Sequence, residues 1–562
     1  MSEQVNSVQP IQVATEPRND ENAFQDHVAI EGTTDLERIE APITLKAYLM
    51  CCFASFAGVY YGYDSGYISG VMGMEYFIHE FTGKVKGTIP DDQFVLSSSQ
   101  KSLITSILSA GTFIGSLVGG DLADWVGRRP VIISGCLIFI IGAVCQVAST
   151  AIPLLVVGRV IAGLGVGLVS AVVVLYMSEI APKKVRGAIV SGYQFCITIG
   201  LLLAACVDYG TQNRTDSGSY RIPIAIQFLW ALILATGLFL LPESPRYFVK
   251  KGQIQKATHV LARLRGQPED SKYIQDEIAE IVANHEYEMS VIPTQTYFQS
   301  WKACFTGGLR KSSSNLRRTI LGTSLQMFQQ LTGINFIFYF GTTFFQQLGS
   351  IKNEFLISLI TTLVNVCSTP LSFVIVERLG RRPMLIYGAL GMVICEFIVA
   401  IVGVIRPDDD NAVKSMIAFI CIYIFFFAST WGPGAWVVVG EIYPLTIRSR
   451  AVGLSTASNW LWNCIIAVIT PYMVDSDKGN LKAKVFFIWG ACCAGCLVFA
   501  YVFIPETKGL TLEQVDRMLE ETTPFTSAKW KPHSTFAADM GLAAETKATV
   551  NHDEKMSSEE SV

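Results

Sequence analysis

Charged residues are scarce in this chain. Asp, Glu, Lys and Arg make up 16% of its 562 residues, whereas 51% are hydrophobic and the mean hydropathy is +0.40. Soluble proteins carry about 25% charged residues, so the scarcity excludes an ordinary soluble protein and indicates a surface that faces lipid. The net charge of −4 lacks the basic excess typical of nucleic-acid binding, and we expect no nucleic-acid partner.

Other features that the sequence lacks narrow the class of protein further. Residues 1–45 contain neither the basic nor the apolar segment of a cleavable signal peptide. No nucleophile–base pair, phosphate-binding loop or metal-ligand cluster stands out, so we expect neither an enzyme nor a bound cofactor. Nearly all of the fourteen cysteines lie in apolar segments, which argues against a secreted disulfide framework. We interpret Cys493-x-x-Cys496 as packing within an apolar run, not as a redox or metal site.

Long apolar runs dominate the rest of the chain. A helix needs about 20 apolar residues to cross a bilayer core of about 30 Å. Such runs recur in two sets of six, at 46–70, 100–120, 131–149, 152–177, 188–208 and 222–241, and at 319–342, 355–376, 384–405, 415–440, 451–474 and 484–504. We therefore predict an all-α membrane protein with twelve transmembrane helices in two six-helix halves.

The segments between these runs set the predicted domain boundaries. They are an N-terminal tail at 1–45, a first bundle at 46–245, a linker at 246–318, a second bundle at 319–509 and a C-terminal tail at 510–562. Apolar residues at helical spacing predict amphipathic helices in the linker: Ala257, Val260, Leu261 and Leu264, then Ile274, Ile278, Ile281 and Val282. The C-terminal tail begins with a predicted helix at 512–519 and then has a composition typical of disorder.

Three short motifs occur once in each half, in the same order. The first is GRR at Gly127–Arg129 and Gly380–Arg382, each with an acid three residues earlier (Asp124, Glu377). The second is a Glu-Ile-x-Pro segment at Glu179–Arg186 and Glu441–Arg448. The third is PESPR at 242–246, matched by PETKG at 505–509. Matching motifs in one order indicate a tandem duplication. Duplicated polytopic halves are an architecture of transporters.

Basic residues in the short loops predict the orientation. The loops that hold the repeated motifs are rich in Lys and Arg, and the short loops on the other face are poorer. Since basic loops stay in the cytoplasm, we expect the motifs there and, with an even number of spans, both termini too. The sequon at Asn213 falls in a predicted external loop and is a candidate glycosylation site.

The GRR arginines are candidates for a conformational latch. They lie where two helices meet the cytoplasm and could reach acids on neighbouring helices. Ion pairs that form in one conformation and break in another bias a two-state equilibrium; the alternative is charge that only sets topology. An acid at the same offset in both halves favours the latch. Its candidate residues are Asp124, Arg128, Arg129, Glu179, Arg186, Glu377, Arg381, Arg382, Glu441 and Arg448.

Charges inside membrane spans are costly and suggest function by default. Asp64 lies in the first span and Arg159 early in the fourth. We interpret them as a proton-coupling pair, with a fixed structural ion pair as the alternative. Glu396, in the middle of the ninth span, is either buried with its proton retained or part of a polar pocket.

The candidate solute site is built from amides and aromatic rings. Uncharged amides both donate and accept hydrogen bonds, and Trp offers a flat apolar face with one donor. This chemistry suits a neutral polyhydroxylated ring, whereas an anion would call for Arg or Lys. A single buried amide more often ties helices together, but this many favours a ligand. The candidates are Gln194, Gln329, Gln330, Asn335, Asn365, Trp436, Asn459 and Trp460, of which Gln330 and Asn335 share a side only if the helix is broken near Gly333.

Taken together, these motifs resemble the sugar porter family of the major facilitator superfamily. The resemblance rests on both GRR motifs, PESPR, QQLTGIN at 329–335 and PETKG, and it covers residues 46–520. The segment GYDSGYISGVMGMEYF at 62–77 is similar to the first span of fungal monosaccharide transporters. The family implies alternating access around a central sugar site formed by the eight amide and tryptophan residues. Its proton-coupled members hold an acid and a base at the positions of Asp64 and Arg159.

The resemblance implies a plasma-membrane protein that carries a monosaccharide, and we expect it to be glycosylated and to act as a monomer. A hexose, glucose in particular, is the expected substrate, with a proton as the coupling ion. Passive facilitators with the same Asp exist in the family, so facilitated diffusion stays open. A sugar sensor is a further alternative, although a tail of about 50 residues beyond PETKG is short for signalling. Segment 71–96 has no Cys, so the disulfide-tied lid of plant sugar symporters is not expected.

Overall fold

The computed structural model describes most of the chain, in helices and loops without strands. The described residues are 44–85, 94, 96–182, 184–291, 297–309, 314–347, 354–406, 409–475 and 478–535. The predicted N-terminal tail up to residue 43 and the polar end of the C-terminal tail from residue 536 lie outside the described residues.

The first half contains eight helices. They are α1 (Leu45–Ala54), α2 (Ala57–Val71), α3 (Glu75–Thr82), α4 (Ser98–Trp125), α5 (Arg128–Ala148), α6 (Ile152–Ile180), α7 (Arg186–Thr211) and α8 (Gly218–Leu240). A Ser97 capping box with Gln100 begins α4, and the left-handed glycine Gly83 ends α3, as local helix-capping chemistry predicts.

A compact unit of its own contains the described parts of Met1–Ala47, Pro245–Thr294 and Lys531–Val562. Its helices are α9 (Pro245–Lys250), α10 (Ile254–Arg265) and α11 (Lys272–Val291). Ala257, Leu261, Ile274 and Ile278 belong to its buried core, which confirms the amphipathic helices predicted there. A buried ion pair of 2.5 Å between Arg265 in α10 and Glu277 in α11 joins two of these helices.

The larger unit contains Tyr48–Ser244 and Gln295–Trp530. Its second part holds α12 (Tyr297–Ala303), α13 (Asn315–Leu331), α14 (Ile334–Gln347), α15 (Glu354–Ser368), α16 (Leu371–Arg378), α17 (Arg381–Ile405), α18 (Asp410–Phe426), α19 (Gly432–Glu441), α20 (Arg448–Val474), α21 (Val485–Phe503) and α22 (Leu512–Glu521). A π-helical segment, Phe427–Trp431, joins α18 to α19. The predicted helix at 512–519 is confirmed as α22.

Ten helical stretches of the described chain are long and apolar enough to cross a membrane. The first and seventh predicted spans are split instead, into α1 and α2 and into α13 and α14. With these two, the helices account for the twelve predicted spans. We call the side of the larger unit that carries Gly127–Arg129 and Gly380–Arg382 the motif face, and the other side the opposite face.

Glycines bring α2 into close contact with α7. A Cβ atom added to Gly62 would lie 2.0 Å from the Ile197 carbonyl oxygen, and one added to Gly58 would lie 2.2 Å from the Tyr193 carbonyl oxygen. Small residues permit such backbone approach between membrane helices. The approach places the polar residues of α2, including Asp64, deep inside the first half.

Candidate functional site

A central cavity lies among helices of both halves. Seven of the eight predicted residues line it: Gln194, Gln329, Gln330, Asn335, Asn365, Trp436 and Asn459. Tyr61, Ser65, Tyr339 and the apolar residues Ile197, Leu201, Ile334, Phe338 and Phe427 complete the wall. No Asp, Glu, Lys or Arg is among these lining residues.

The break between α13 and α14 brings amides from two helices to one cavity. Gly333 adopts a φ of +80°, a conformation that favours glycine because it has no Cβ. An added Cβ would also lie 2.5 Å from the Trp489 ring. Gln330 before the break and Asn335 after it therefore meet, and Asn335 donates a hydrogen bond to the Gln330 side-chain oxygen. The break near Gly333, the condition for Gln330 and Asn335 to share a side, is present.

Hydrogen bonds between the amides hold several of them in fixed orientations. The Asn459 Nδ2 group donates to Gln326 and Gln329, each at 2.7 Å, and its oxygen accepts from Gln330 at 2.9 Å. Asn463, one helical turn further along α20, donates to Gln330 at 3.1 Å. The site is thus arranged by the protein's own contacts, with lone pairs and N–H groups to spare.

Asn365 differs from these amides. It is 1% exposed, and neither its side-chain nitrogen nor its oxygen has a hydrogen-bond partner among the described residues. Leaving a buried polar group unpaired costs about 1–3 kcal/mol. Because Asn365 lines the cavity, a molecule inside it can satisfy both groups.

Trp460 does not line the cavity, which corrects its predicted role as a contact residue. Its indole packs edge-on against Tyr61, with ring centroids 4.9 Å apart, and donates to Ser170 at 3.1 Å. Tyr61 takes its place in the wall. Trp436 lines the cavity as predicted and packs edge-on against Tyr193 at 5.6 Å.

Asp64 and Arg159 are buried near each other without a direct ion pair. Neither carboxylate oxygen of Asp64 has a hydrogen-bond partner among the described residues. Arg159 instead donates to the Tyr67 hydroxyl at 2.8 Å, and Tyr67 donates to Gln146 at 2.6 Å. Arg159 still acts on Asp64 electrostatically. The fixed ion pair, our alternative interpretation, is not the arrangement of this conformation.

Two equivalent bidentate ion pairs lie at the motif face. The Arg128 guanidinium donates to Glu179 at 2.9 and 2.8 Å, and Arg381 donates to Glu441 at 3.1 and 2.8 Å. All four side chains are almost fully buried. Paired Arg–carboxylate forks of this kind are strong and geometrically specific. The predicted contacts of the GRR arginines with these acids are therefore present.

Two of the predicted acids contact the opposite half of the molecule. Asp124 at the end of α4 accepts from the Ser449 hydroxyl at 2.6 Å, and Glu377 at the end of α16 accepts from the Ala188 backbone N–H at 3.1 Å. Each acid thus lies against the first turn of a helix, α20 or α7, where the helix dipole favours negative charge. These contacts join the halves at the motif face.

The other four latch arginines donate to backbone carbonyls. Arg129 and Arg382, the second arginines of the GRR motifs, donate to the carbonyls of Phe239 at 3.0 Å and Tyr501 at 2.7 Å, and each also stacks on the same ring. Arg186 donates to the Leu510 carbonyl, and Arg448 to the Tyr443 carbonyl. The long side chains of Arg129 and Arg382 thus reach carbonyls near the ends of α8 and α21.

Two glutamates of the third motif pair have a role that sequence reasoning missed. Glu243 of PESPR accepts from the backbone N–H groups of Arg128 and Arg129, each at 3.1 Å. Glu506 of PETKG does the same for Arg381 and Arg382, at 3.0 and 3.1 Å. Each caps the first turn of the helix that begins with the GRR arginines. Burial raises the pKa of Glu243, and its backbone hydrogen bonds and Arg128 oppose that rise.

A second contact between the halves was also missed. Arg450 in α20 pairs with Asp121 in α4 at 2.8 Å and with Asp124 at 3.5 Å. Asp121 also accepts from Tyr297 at 2.9 Å and Trp301 at 3.1 Å, both in α12. The basic residue was visible in the sequence, but its partners lie more than 100 positions away.

Neither Glu396 nor Asn213 lines the central cavity. Glu396 is 1% exposed, and its carboxyl interacts with the Cys493 thiol, which donates to the Thr332 carbonyl at 3.8 Å. Of our two interpretations, the buried position applies. Asn213 is exposed in the turn after α7, on the opposite face.

Comparison with known proteins identifies the family. Residues 50–519 match the model described as sugar (and other) transporter. The chain belongs to this family. Within it, the transporter is 47% identical over 499 residues to the major facilitator-type transporter ecdD of Aspergillus rugulosus, with 86% of this chain and 90% of that relative covered. It is 42% identical to the probable glucose transporter rco-3 of Neurospora crassa (88% and 84% covered) and 41% identical to the high glucose sensor RGT2 of Saccharomyces cerevisiae (89% and 65% covered).

Solved structures support the same family. The proton:xylose symporter XylE bound to 6-bromo-6-deoxy-D-glucose superposes on the transporter with a TM-score of 0.72 at 25% sequence identity, covering 84% of this chain and 99% of that one. The major facilitator fold and the two-half organisation predicted from the sequence are thereby confirmed. The transporter is a multi-pass membrane protein of a sugar-transporting family.

Proposed function

We propose that the protein carries a hexose, glucose in particular, across the plasma membrane in symport with a proton. The observation that supports this most is the chemistry of the central cavity. Its polar lining consists of amides, hydroxyls and one Trp, with no charged side chain among the lining residues. A neutral ring with several hydroxyls matches such a wall, because each amide can both donate and accept.

The amide network supports selectivity for a hydroxylated ring. Asn459, Gln329 and Gln330 are held by one another, so their remaining groups point in fixed directions. Asn365 is buried without a partner among the described residues and gains two hydrogen bonds only when a polar ligand enters. A site built to pair with hydroxyls rejects an analogue that lacks them, since its polar groups then stay unpaired.

Proton coupling is supported by Asp64. A buried carboxylate without an ion pair is costly when charged, so it exchanges a proton readily when its surroundings change. Arg159 is held by Tyr67 in this conformation and is close enough to act on Asp64. A shift of Arg159 toward Asp64 would favour proton release, which links the proton to the conformational cycle.

We place the motif face in the cytoplasm, with both termini on that side and Asn213 glycosylated outside. The Arg128–Glu179 and Arg381–Glu441 pairs and the contacts of Asp124 and Glu377 then hold the cytoplasmic side closed. Breaking them opens the cavity inward. We expect the protein to complete this cycle as a monomer.

Two alternatives share this site. Passive facilitation needs the same cavity without proton exchange at Asp64. The second alternative is that the protein senses sugar without transporting it, because one relative, RGT2, is a glucose sensor, and this chain covers 65% of it.

Uptake of labelled glucose in a cell without its own hexose transporters tests all three. Concentrative uptake that a protonophore abolishes is the result expected for symport. Uptake that only equilibrates, insensitive to the protonophore, would indicate a facilitator. A protein present at the plasma membrane that binds glucose without any uptake would contradict transport.

A further inference from the structure

A short segment at the motif face exposes large apolar side chains. It runs from the start of α12 to residue 309 and belongs to the larger unit, whereas residues 245–294 of the predicted linker do not. We call residues 297–309 the anchor segment. Its exposed large apolar residues are Tyr297, Phe298, Phe305 and Leu309, of which Phe298 is 81% exposed.

Hydrogen bonds hold the anchor segment against two long helices. Tyr297 and Trp301 donate to the Asp121 carboxylate in α4, at 2.9 and 3.1 Å. From α13, Asn315 and Thr319 donate to backbone carbonyls of the segment, at 3.1 and 2.8 Å. Because the segment is fixed from both helices, its exposed side chains project outward from a defined position.

The exposed side of α4 shows where the membrane boundary lies. Leu103, Ile114, Val118 and Trp125 are exposed and recur at helical spacing, so they form one apolar stripe. From Leu103 to Trp125 the helix rises about 33 Å at 1.5 Å per residue, close to the bilayer core of about 30 Å. In a membrane protein this stripe faces lipid. Trp125 therefore lies at the membrane–water boundary, where Trp and Tyr rings are enriched.

The anchor segment continues this lipid-facing stripe. The ring centroids of Trp125 and Tyr297 are 5.9 Å apart, and those of Tyr297 and Phe298 are 5.5 Å apart. Lys302, one turn after Phe298, is also exposed, and a Lys side chain keeps its ammonium group among lipid headgroups while its stem covers apolar surface. We infer that the anchor segment inserts at the boundary between headgroups and acyl chains of the leaflet on the motif-face side, with bilayer lipid as its partner.

The same segment contacts the ion pair that joins the two halves. Asp121, held by Tyr297 and Trp301, pairs with Arg450 of α20 at 2.8 Å, and the Arg450 guanidinium lies over the Tyr297 ring, 6.0 Å from its centroid. Tyr297 thus contacts the lipid-facing Trp125 and both members of the pair. Lipid that fixes the anchor segment therefore also stabilises the Asp121–Arg450 contact, which makes the equilibrium between conformations sensitive to the bilayer.

Photocrosslinking identifies what covers the anchor segment. Phe298→p-benzoylphenylalanine and Leu309→p-benzoylphenylalanine react on illumination with C–H groups beside them, in the full-length protein in phosphatidylcholine nanodiscs and in cell membranes. The same substitution at Ile114, in the α4 stripe, is the positive control. We expect phospholipid adducts, detected by mass, at all three positions. If Ile114 gives adducts and both anchor positions give none, or give only protein adducts in cell membranes, the inference is overturned.

Hydrogen exchange in the same nanodiscs tests the effect on the two halves. Phe298→Ser removes apolar area from the lipid and leaves both donors to Asp121 in place, so exchange in α12 and in the first turn of α20 should rise several-fold.

Tyr297→Phe separates the two roles of the segment. It keeps the ring at the boundary and removes a hydrogen bond to Asp121, so exchange in the first turn of α20 should rise while the lipid adducts at position 298 persist. Phe503→Ser, which removes another exposed ring at the motif-face end of a span, is the matched control and should leave α20 unchanged. Faster exchange in α12 alone for Phe298→Ser, or an equal rise in α20 for Phe503→Ser, would overturn the link between lipid and the Asp121–Arg450 pair.

Discussion

Ser449 in the second half donates a 2.6 Å hydrogen bond to the carboxylate of Asp124 in the first half. The same carboxylate lies 3.6 Å from Arg128 and 3.5 Å from Arg450. One acid therefore connects the ion pair of its own half to the first turn of α20 in the other. This arrangement makes the contact between the halves at the motif face sensitive to a single hydroxyl group.

Ser449→Ala should weaken closure at the motif face. A hydrogen bond to a charged group contributes about 1.5–3 kcal/mol, so we expect the open fraction to rise about 10-fold or more. Hydrogen exchange in the first turn of α20 should accelerate accordingly. Ser415→Ala is the control, because the Ser415 hydroxyl donates to the backbone carbonyl of Asn411 within its own helix. Unchanged exchange at α20 would contradict the role of this contact.

Asp64→Asn should abolish concentrative uptake and its pH dependence and leave sugar exchange intact. The amide cannot take up or release a proton, whereas wild-type uptake should fall as the external pH rises. Transport against a gradient and exchange of labelled for unlabelled sugar are the two measurements. Glu396→Gln is the matched control, because it replaces another buried acid that does not line the central cavity. Concentrative uptake by the Asp64→Asn protein would refute the coupling role.

Asn365 and Asn459 should respond differently to substitution by Ala. Asn365 has no hydrogen-bond partner among the described residues, so its loss should raise KM about tenfold without lowering thermal stability. Asn459 joins Gln326, Gln329 and Gln330, so its loss should raise KM and also lower Tm by several degrees. Uptake kinetics and the melting temperature of the purified protein measure the two effects. Equal losses of stability would contradict the assignment.

Gly333→Ala should disrupt the break between α13 and α14. The left-handed backbone costs an L-residue about 1–3 kcal/mol, and the new methyl group would meet the Trp489 ring. We expect a lower Tm and loss of sugar binding, because Asn335 would turn away from Gln330. Gly341→Ala, whose Cβ would meet its nearest neighbour at 3.6 Å, should retain both properties. Normal binding by Gly333→Ala would show that the break is not needed.

Much of the candidate site was predictable because amides stand out in apolar runs. Gln329, Gln330 and Asn335 were found that way, and Gly333 indicated how they could meet. Trp460 was misplaced for a simple reason. It is adjacent to Asn459, and because neighbouring helical residues point about 100° apart, Trp460 is directed toward Tyr61 and Ser170 instead. Asn463, one turn from Asn459, shares its side.

The glutamates that cap the GRR helices show which contacts the sequence could not predict. Glu243 and Glu506 lie in motifs whose repetition was plain, yet their targets are 115 and 125 positions away in the chain. Asp121 and Arg450 are 329 positions apart. Charge and spacing identify such residues as notable but contain no information about which distant helix end each one meets.

By itself, the sequence determined the twelve spans, the duplication and the polar residues available for a site. Hydrophobicity and repeated motifs are local properties of the chain. A long apolar run in a bilayer must form a helix, because its backbone polar groups have no water to bind. Only the tertiary structure decided the partners: which amides face the cavity, that Arg159 binds Tyr67 and not Asp64, and that Asp124 reaches across to Ser449. These depend on how the helices rotate and pack, and packing is decided by all of their contacts together.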